Sequence, residues 1–280
     1  MKYICTIATV LLAPWQASMA FDVSRTVIDR KNLFKHVVRA TSAAVIIADN
    51  KAALAKPTIT SQELKKIYDE GADTYETLYS GSLVSKALDF QTLRTNLLAK
   101  AKGDVLELGV GTGLNLPLYS PDIDSGIISY TVIDLSSKMM KQTIEKFKSP
   151  GGVANSLAAL YSRDKVYFEL GDVNELSKIM NGKKFDTIVD SFGLCVFPDP
   201  LLALQEAKKS LKPNGKLIML EHQDSLIGKT LKPTTQIADV ISTCRYDDDV
   251  IGLVKAAGFK SISKKSYAGG FLLEVVASVN

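Results

Sequence analysis

Histidine and cysteine are scarce in this chain of 280 residues. It contains two histidines, His36 and His222, and three cysteines, Cys5, Cys195 and Cys244. Two histidines are too few for a histidine-rich site, so we expect no metal. The cysteines form no CxxC pair, and the sequence therefore predicts neither a cysteine-based zinc site nor a disulfide framework.

Internal repeats and low-complexity tracts are also missing, and the glycine, proline and aromatic contents are unexceptional. These absences exclude fibrous, repeat and disordered proteins. The hydrophobic share of 46% is enough for the core of one large domain or of two small ones.

The first 20 residues predict a signal peptide. One lysine precedes an apolar run that is too short to span a bilayer comfortably. The run ends in the small residues Ala17, Ser18 and Ala20, which is a cleavage pattern. The alternative is a membrane anchor, which Pro14 and the short length disfavour.

Residues 21–56 have the composition of a transit peptide, with no Glu, seven Lys or Arg and three Asp. Phe21 directly follows the cleavage pattern, and this join resembles the bipartite presequence of algae with secondary plastids. The sequence therefore predicts a plastid protein, with a mitochondrion or a secretory-pathway membrane as alternatives. Peripheral contact of the protein with a membrane is a further expected interaction.

The positive charge of the chain belongs to this N-terminal region. The whole chain has a net charge of +4. Lys2 contributes +1 and residues 21–56 contribute +4, which together make +5. Residues 57–280 therefore carry a net charge of −1. A domain without a basic excess is not expected to bind nucleic acid.

Apolar runs alternate with helical segments from Thr60 onward, which is the pattern of a parallel sheet with helices on both faces. The candidate strands are DVLELG, ISYTVID, VYFEL, FDTIVDSF, GKLIMLEH, KSISKKSY and FLLEVVASV. Only residues 268–270, Ala-Gly-Gly, separate the last two, which predicts a hairpin. We expect one α/β domain over residues 57–280, with an open, mostly parallel seven-stranded sheet and a C-terminal antiparallel hairpin.

Two helices are expected ahead of the first strand. The first begins with capping residues at 60–63, and its aromatic residues face one side. The second is expected to cover residues 83–101 and to end before Gly103. Further helices are expected over residues 136–148 and 199–211.

Glycines alternate after the first predicted strand, in the segment VLELGVGTGLNLP, which leads into a predicted helix. Gly109, Gly111 and Gly113 let the backbone turn sharply and let a ligand approach it closely. A nicotinamide-binding turn has the pattern G-x-G-x-x-G, and Leu114 or Leu116 stands at its third glycine position here. The sequence therefore disfavours a nicotinamide cofactor.

Glu107 precedes these glycines and limits which cofactor the turn accepts. Its carboxylate would repel a pyrophosphate, because like charges raise the energy of binding. A cofactor with an ammonium and a sulfonium group and no phosphate would instead be attracted, and S-adenosylmethionine has this chemistry. The plainer alternative is a turn that only packs against the core.

Carboxylates also follow the second and third strands. Asp134 stands where an acidic residue can accept both hydroxyl groups of a ribose, although dehydrogenases place an acid there too. Asp172 can accept a hydrogen bond from an adenine amino group, or it can cap the next helix. Leu135 and Met139 can pack on the adenine, although a helical Met is more often part of a core.

Taken in order, these motifs resemble the class I, Rossmann-like S-adenosylmethionine-dependent methyltransferases, from about residue 68 to the C-terminus. The motifs are ELGVGTG, VIDLS, GDV, FDTIVDSFGLCVF and LKPNGKLIMLEH. The resemblance implies that Glu107 and the three glycines border the methionine part of the cofactor. It also implies that Asp134 binds the ribose and that Asp172 and Val173 border the adenine.

The same resemblance places Ser191 near the methyl group. The segment IYDEGADTYETLY is similar to the N-terminal cap of the ubiquinone- and menaquinone-biosynthesis methyltransferases, which implies that Tyr68 and Tyr75 lie near the cofactor. The alternative is two aromatic residues on a buried helix face. The segments LCVFPDP and LEHQD resemble branches that methylate quinones, phospholipid head groups or thiols.

His222 ends the fifth predicted strand on the rim that faces the cofactor. A neutral imidazole there can act as the general base for a phenol or thiol acceptor. The alternative is a histidine that shapes the acceptor pocket, to which residues 223–245 are expected to contribute. Cys195, on the adjacent rim, is expected to be a small buried apolar residue.

The sequence thus predicts a methyltransferase that moves a methyl group from S-adenosylmethionine to a small-molecule acceptor, namely a quinone, a lipid head group or a thiol. One alternative is a non-catalytic methyltransferase-like assembly factor. A nicotinamide-dependent oxidoreductase is a less favoured alternative.

Overall fold

The computed structural model describes residues 59–81, 83–223, 225, 243–244 and 249–280. The predicted signal peptide and presequence lie outside these residues, as does most of the segment 223–245. All described residues belong to the compact unit Ala52–Asn280. Within the described ranges, no helix is long and apolar enough to cross a membrane.

Seven strands form one sheet. In chain order they are β1 (Gly103–Leu108), β2 (Ile127–Asp134), β3 (Val166–Leu170), β4 (Phe185–Ser191), β5 (Leu211–His222), β6 (Ser261–Tyr267) and β7 (Leu272–Ser278). Their order across the sheet is β3-β2-β1-β4-β5-β7-β6. The first five pair in parallel, whereas β7 runs antiparallel to β5 and β6. The predicted sheet and its C-terminal hairpin are confirmed.

Helices pack on both faces of this sheet. They are α1 (Ser61–Gly81), α2 (Leu83–Ala87), α3 (Phe90–Leu98), α4 (Ser137–Lys148), α5 (Asn155–Tyr161), α6 (Leu176–Ile179), α7 (Pro200–Ser210) and α8 (Val250–Ala256). The apolar core has two parts, one with α3, α4 and α5 and the other with α6, α7 and α8. Val105 and Leu106 belong to different parts, as expected of neighbours whose side chains alternate between the faces of a strand.

The prediction of one continuous helix over residues 83–101 was wrong, because the chain turns at Asp89. This residue has a left-handed φ of 51°. Its side chain accepts a hydrogen bond from the N–H of Thr92 and so caps the start of α3. Asp tolerates this conformation better than most residues. The capping bond satisfies one of the backbone N–H groups at the helix start that have no partner within the helix.

The strand order places the candidate site. β1 lies between β2 and β4, so the chain segments that leave β1 and its neighbours diverge above the carboxyl edge of the sheet. In open parallel sheets, ligands bind in the crevice that forms at this point. The glycine turn follows β1, Asp134 ends β2 and Ser191 ends β4.

Candidate active site

A cleft lies at the carboxyl ends of β1, β2 and β4. Nine residues that the sequence predicted for the site line this cleft: Tyr68, Tyr75, Gly109, Gly111, Asp134, Leu135, Asp172, Val173 and Ser191. Four others, Glu107, Gly113, Met139 and His222, are not among its lining residues.

The glycine turn has left-handed φ angles of 56° at Gly109, 60° at Gly111 and 83° at Gly113. A Cβ on Gly111 would stand 4.0 Å from the nearest heavy atom, whereas one on Gly113 would lie 2.6 Å from the Leu116 side chain. Gly111 therefore keeps space open beside the cleft, and Gly113 allows tight packing behind the turn.

The helix predicted after this turn is replaced by a single 3₁₀ turn, Leu116–Leu118. Leu116 is completely buried and packs in the apolar core. The N-terminus of a helix is the usual binding site for a pyrophosphate. Because no α-helix starts at the glycine turn, the local structure does not favour a dinucleotide.

Asp134 connects the end of β2 to the glycine turn. Its Oδ2 accepts a hydrogen bond from the N–H of Gly111 at 2.8 Å, and its Oδ1 accepts one from the N–H of Ser136 at 2.8 Å. Burial is the main reason that the pKa of this carboxyl rises to about 6, and the nearby charge of Asp69 adds to it. Each oxygen has a further lone pair available for a ligand hydroxyl.

Asp172 lies across the cleft and caps a short helix. Its Oδ1 accepts a hydrogen bond from the N–H of Asn174 at 2.8 Å, and its Oδ2 accepts one from the hydroxyl of Ser61. The capping function was one of two alternatives from the sequence. The structure shows that the same carboxylate also lines the cleft, next to Val173.

Helix α1 covers the cleft and carries Tyr68 and Tyr75, which line it. It is held to α4 by polar contacts: the hydroxyl of Ser136 donates to Asp69 at 2.6 Å, and the side chain of Gln142 donates to the carbonyl oxygen of Ala72 at 3.0 Å. Met139 is completely buried and packs with Ala72 in the same contact.

Ser191 and Phe192 form the cleft wall after β4. The hydroxyl of Ser191 is buried and has no hydrogen-bond partner among the described residues. Phe192 has a φ of 63°, an unusual value for a residue with a side chain. Its ring stacks on Phe90 at a centroid distance of 5.0 Å, and the Arg94 guanidinium lies 5.0 Å from the ring centre.

Glu107 lies behind the glycine turn. Its carboxylate accepts hydrogen bonds from Asn115 at 2.9 Å, from the hydroxyl of Tyr119 at 2.7 Å and from the hydroxyl of Tyr130. Asn115 in turn accepts a hydrogen bond from Arg94 at 2.7 Å. Burial raises the pKa of Glu107, although these donors oppose the shift. In the structure Glu107 therefore stabilises the glycine turn from behind, a role that the sequence did not indicate.

Buried carboxyl groups outnumber buried cations near this edge of the sheet. Glu107, Asp134, Asp190 and Glu221 are all buried, and Arg94 is the one buried cation within the described ranges. Burial raises the pKa of Asp190 to about 7 and also raises that of its neighbour Glu221. The raised pKa values reduce the negative charge that Asp190 and Glu221 carry near neutral pH.

His222 is enclosed by aromatic rings. The ring centroids of Phe192 and Phe271 lie 4.8 Å and 5.0 Å from its imidazole. Burial, with a smaller effect of the positive charge of Arg94, lowers the pKa of His222 to about 3. The imidazole is therefore neutral at physiological pH, and it is a weak base.

The sequence predicted no disulfide framework, but one disulfide joins Cys195 and Cys244. Their Cα atoms lie 4.8 Å apart although 49 positions separate them in the sequence. The turn after β4 and the segment ahead of α8 meet above the sheet, and the spacing of the cysteines cannot reveal such a contact. Cys195 is buried, as predicted.

Comparison with known families adds to this geometry. Residues 106–219 match the family model described as a methyltransferase domain. Over these residues the chain is similar to a methyltransferase domain. The matched residues run from β1 into β5 and include the glycine turn, Asp134, Asp172 and Ser191. The resemblance seen in the sequence motifs is confirmed.

Curated proteins with similar sequences include other methyltransferases. The protein named Methyltransferase OMS1, mitochondrial, from Saccharomyces cerevisiae is 28% identical over 213 residues, which cover 74% of this chain and 44% of that protein. A phosphatidylethanolamine N-methyltransferase from Cereibacter sphaeroides is 31% identical over 120 residues, which cover 43% and 51%. The chain thus spans about half the length of these two relatives.

A ubiquinone/menaquinone biosynthesis C-methyltransferase, UbiE, from Rickettsia bellii is 26% identical over 193 residues, which cover 60% of this chain and 73% of that protein. Among solved structures, the magnesium protoporphyrin IX methyltransferase of Synechocystis, with bound SAH, superposes with a TM-score of 0.56. The identity is 17%, and the match covers 79% of this chain and 100% of that one. This likeness establishes the fold of the methyltransferase domain.

Proposed function

We propose that this chain transfers a methyl group from S-adenosylmethionine to a small-molecule acceptor. The observation that carries the proposal is the position of Asp134. Its carboxylate lines the cleft and holds the glycine turn through the N–H of Gly111. This arrangement brings a ribose-binding acid and an open backbone surface to one point, within a methyltransferase domain.

The residues of the cleft fit this cofactor in three ways. Gly111 leaves space where a side chain would stand. The buried hydroxyl of Ser191 lacks a protein partner among the described residues. The carboxyl groups of Asp134 and Asp172 line the cleft, and their oxygens can accept hydrogen bonds from a ligand. Asp134 would hold the ribose, Asp172 and Val173 the adenine, and Gly109 and Gly111 the methionine part.

When bound, S-adenosylmethionine supplies a methyl group that its sulfonium already activates. The protein then has to align the acceptor and exclude water. Tyr68, Tyr75 and Phe192 give the cleft apolar walls that serve both purposes. Helix α1, which carries the two tyrosines, would close over the bound molecules.

For the acceptor we propose a quinone, a lipid head group or a thiol. The printed names of the bacterial relatives, a phosphatidylethanolamine N-methyltransferase and a ubiquinone/menaquinone C-methyltransferase, support the first two classes. The resemblance of LCVFPDP and LEHQD to small-molecule branches supports all three.

His222 was predicted as a general base or as a residue that shapes the acceptor pocket. We favour the second part, because the ring is enclosed by Phe192 and Phe271 and its pKa is lowered to about 3. A base with that pKa has too little affinity for a proton near neutral pH to contribute much to proton removal.

For the location we propose a mitochondrion, which was one of the alternatives to a plastid. The yeast relative is named as mitochondrial. The basic, Glu-free composition of residues 21–56 suits either organelle. Fractionation of the native source, with detection of the protein in purified organelles, distinguishes the two.

The proposed function is tested by incubating the purified full chain with S-adenosylmethionine that carries a deuterated methyl group and with a lipid, quinone and thiol extract of the organelle. Mass spectrometry should reveal a small molecule that gains the heavy methyl group. The Asp134→Ala variant is the matched control and should give much less product.

The alternative of a non-catalytic assembly factor makes a different prediction in the same experiment. Such a protein would bind the cofactor and label no molecule in any extract. The proposal of methyl transfer would then be withdrawn, while the cofactor site could still be correct. A nicotinamide-dependent oxidoreductase would bind NAD in place of the sulfonium cofactor.

A further inference from the structure

A cluster of three side chains with metal-binding chemistry lies beside the cleft. Cys195 follows β4, His222 ends β5 and Cys244 stands ahead of α8. Their donor atoms all lie within 4.8 Å of one another. Nδ1 of His222 is 3.3 Å from Sγ of Cys244. None of the three is among the lining residues of the cleft, so the cluster is distinct from the proposed cofactor site.

The donor set is that of a metal that prefers sulfur and nitrogen. Two thiolates and one imidazole are the protein ligands of one known kind of catalytic zinc site. The two negative thiolates would neutralise a divalent cation, which offsets the repulsion from Arg94 nearby. A neutral imidazole has a lone pair on one ring nitrogen that can bind a metal.

The surroundings also favour a bound ion over a solvated one. Phe192 and Phe271 pack against the imidazole and limit its rotation. Cys195 and His222 are almost completely buried. Ligands that are held in place lose little freedom on binding, and a dry wall strengthens the attraction between a cation and thiolates.

We propose that Cys195, His222 and Cys244, with the disulfide reduced, form a binding site for a thiophilic divalent cation such as Zn²⁺. Two molecules of a thiol reductant convert the disulfide into two cysteine thiols and leave as one disulfide of the reductant. The cation then displaces the two thiol protons to water and accepts a lone pair from His222. Three protein ligands leave a fourth tetrahedral position for water or another donor.

The disulfide and the metal would be two ways to make the same connection. Each ties the turn after β4 to the segment ahead of α8. Metal sites of this kind are common in reducing compartments, where disulfides are rare. The compartment would therefore decide which of the two states the protein adopts, and the inference does not depend on methyl transfer.

The test uses the full chain, reduced with dithiothreitol, desalted without oxygen and incubated with Zn²⁺ before removal of free metal. Elemental mass spectrometry should find about one tightly held zinc per chain. The Cys244→Ser and His222→Ala variants should lose most of it. The Cys5→Ser variant, which changes the third cysteine, is the matched control and should retain it.

Two results would overturn the proposal. One is reduced wild-type protein that holds no more zinc than the Cys244→Ser variant. The other is oxidised protein that holds as much zinc as the reduced form, since its ligands could not then be the two thiolates. Co²⁺ gives a readout that does not depend on whether the variants fold. Reduced wild-type protein should develop a thiolate-to-cobalt charge-transfer band, and its absence would contradict the site.

Discussion

Asp134 is the single side chain that connects the glycine turn with the ribose position proposed for the cofactor. Both its oxygens already accept backbone hydrogen bonds at 2.8 Å, so its orientation is fixed before a ligand arrives. The Asp134→Ala variant should bind S-adenosylhomocysteine more weakly by roughly 1–3 kcal/mol, the loss expected for hydrogen bonds to a charged acceptor. Calorimetric titration measures this. Asp124→Ala, at an exposed position, is the control, and equal affinity of both variants would remove Asp134 from the site.

The same residue predicts a pH dependence of binding. Burial raises the pKa of Asp134 to about 6, and only the ionised carboxylate accepts hydrogen bonds from both ribose hydroxyls through both its oxygens. Affinity for S-adenosylhomocysteine should therefore increase as the pH rises through about 6 and level off above it. The Asp134→Asn variant should show a flatter profile. The stability of the free protein depends on pH in the opposite direction. The pKa of Asp134 in the folded state lies above the ordinary value of an aspartate, so the contribution of this group to stability is lost as the pH rises through about 6.

The role of His222 can be determined by measuring its effects on turnover and on acceptor binding separately. If it shapes the acceptor side, His222→Ala should raise the KM for the acceptor more than it lowers kcat. A general base would instead give a fall in kcat of about 10²-fold or more, with cofactor affinity nearly intact. Steady-state kinetics with the acceptor found in the extract experiment distinguishes the two results.

The sequence predicted correctly where the residues at strand ends lie, although not what they bind. Asp134, Asp172 and Ser191 each follow an apolar run, and the ends of parallel strands meet at one edge. Residues whose position depends on contacts between distant segments were missed. The disulfide across 49 positions is one such contact, and the ring of Phe192, turned by an unusual backbone angle, is another.

At the scale of elements, two glycines of the turn have different roles. Gly111 leaves space for a ligand, whereas Gly113 allows tight packing against Leu116. Gly113→Ala should lower the thermal unfolding temperature, because its Cβ would stand 2.6 Å from Leu116 and the φ of 83° strains any side chain. We expect a loss of about 1–3 kcal/mol in the free energy of unfolding. Calorimetric melting measures it.

Gly111→Ala is the matched comparison for that variant. Its Cβ would stand in open space, so the loss of stability should be smaller, about 1–2 kcal/mol for the left-handed backbone alone. Its loss of affinity for S-adenosylhomocysteine should be the larger of the two, because the methyl group would enter the cleft. The reverse order of affinities would show that Gly111 does not face the ligand.

Elements with a strong apolar pattern were predicted correctly, and breaks within a pattern were not. All seven strands and the terminal hairpin followed from apolar runs and from the Ala-Gly-Gly turn. The break at Asp89 was missed, since one residue in a left-handed conformation leaves the helical periodicity on either side almost unchanged. The 3₁₀ turn after the glycines was taken for a helix for a similar reason: Leu116 and its neighbours are apolar but pack inward.

For the whole molecule, the N-terminal region is the main open question of processing, because residues 1–56 are predicted to be a removable presequence. A shortened protein that starts at Pro57 should be soluble and should bind S-adenosylhomocysteine as tightly as the full chain does. N-terminal sequencing of the protein from its native source should find that at least residues 1–20 are missing. An intact Met1 on a membrane-integrated product would identify the segment as an anchor.

Titration of the full chain with S-adenosylhomocysteine and, separately, with NAD⁺ tests the central claim most directly. A methyltransferase with this cleft should bind the first with about 1:1 stoichiometry and a Kd in the micromolar range, equivalent to about −8 kcal/mol, and should give no heat with the second. Tight binding of NAD⁺ together with no binding of S-adenosylhomocysteine would contradict the proposed cofactor, and with it the assignment of Asp134 and of the glycine turn.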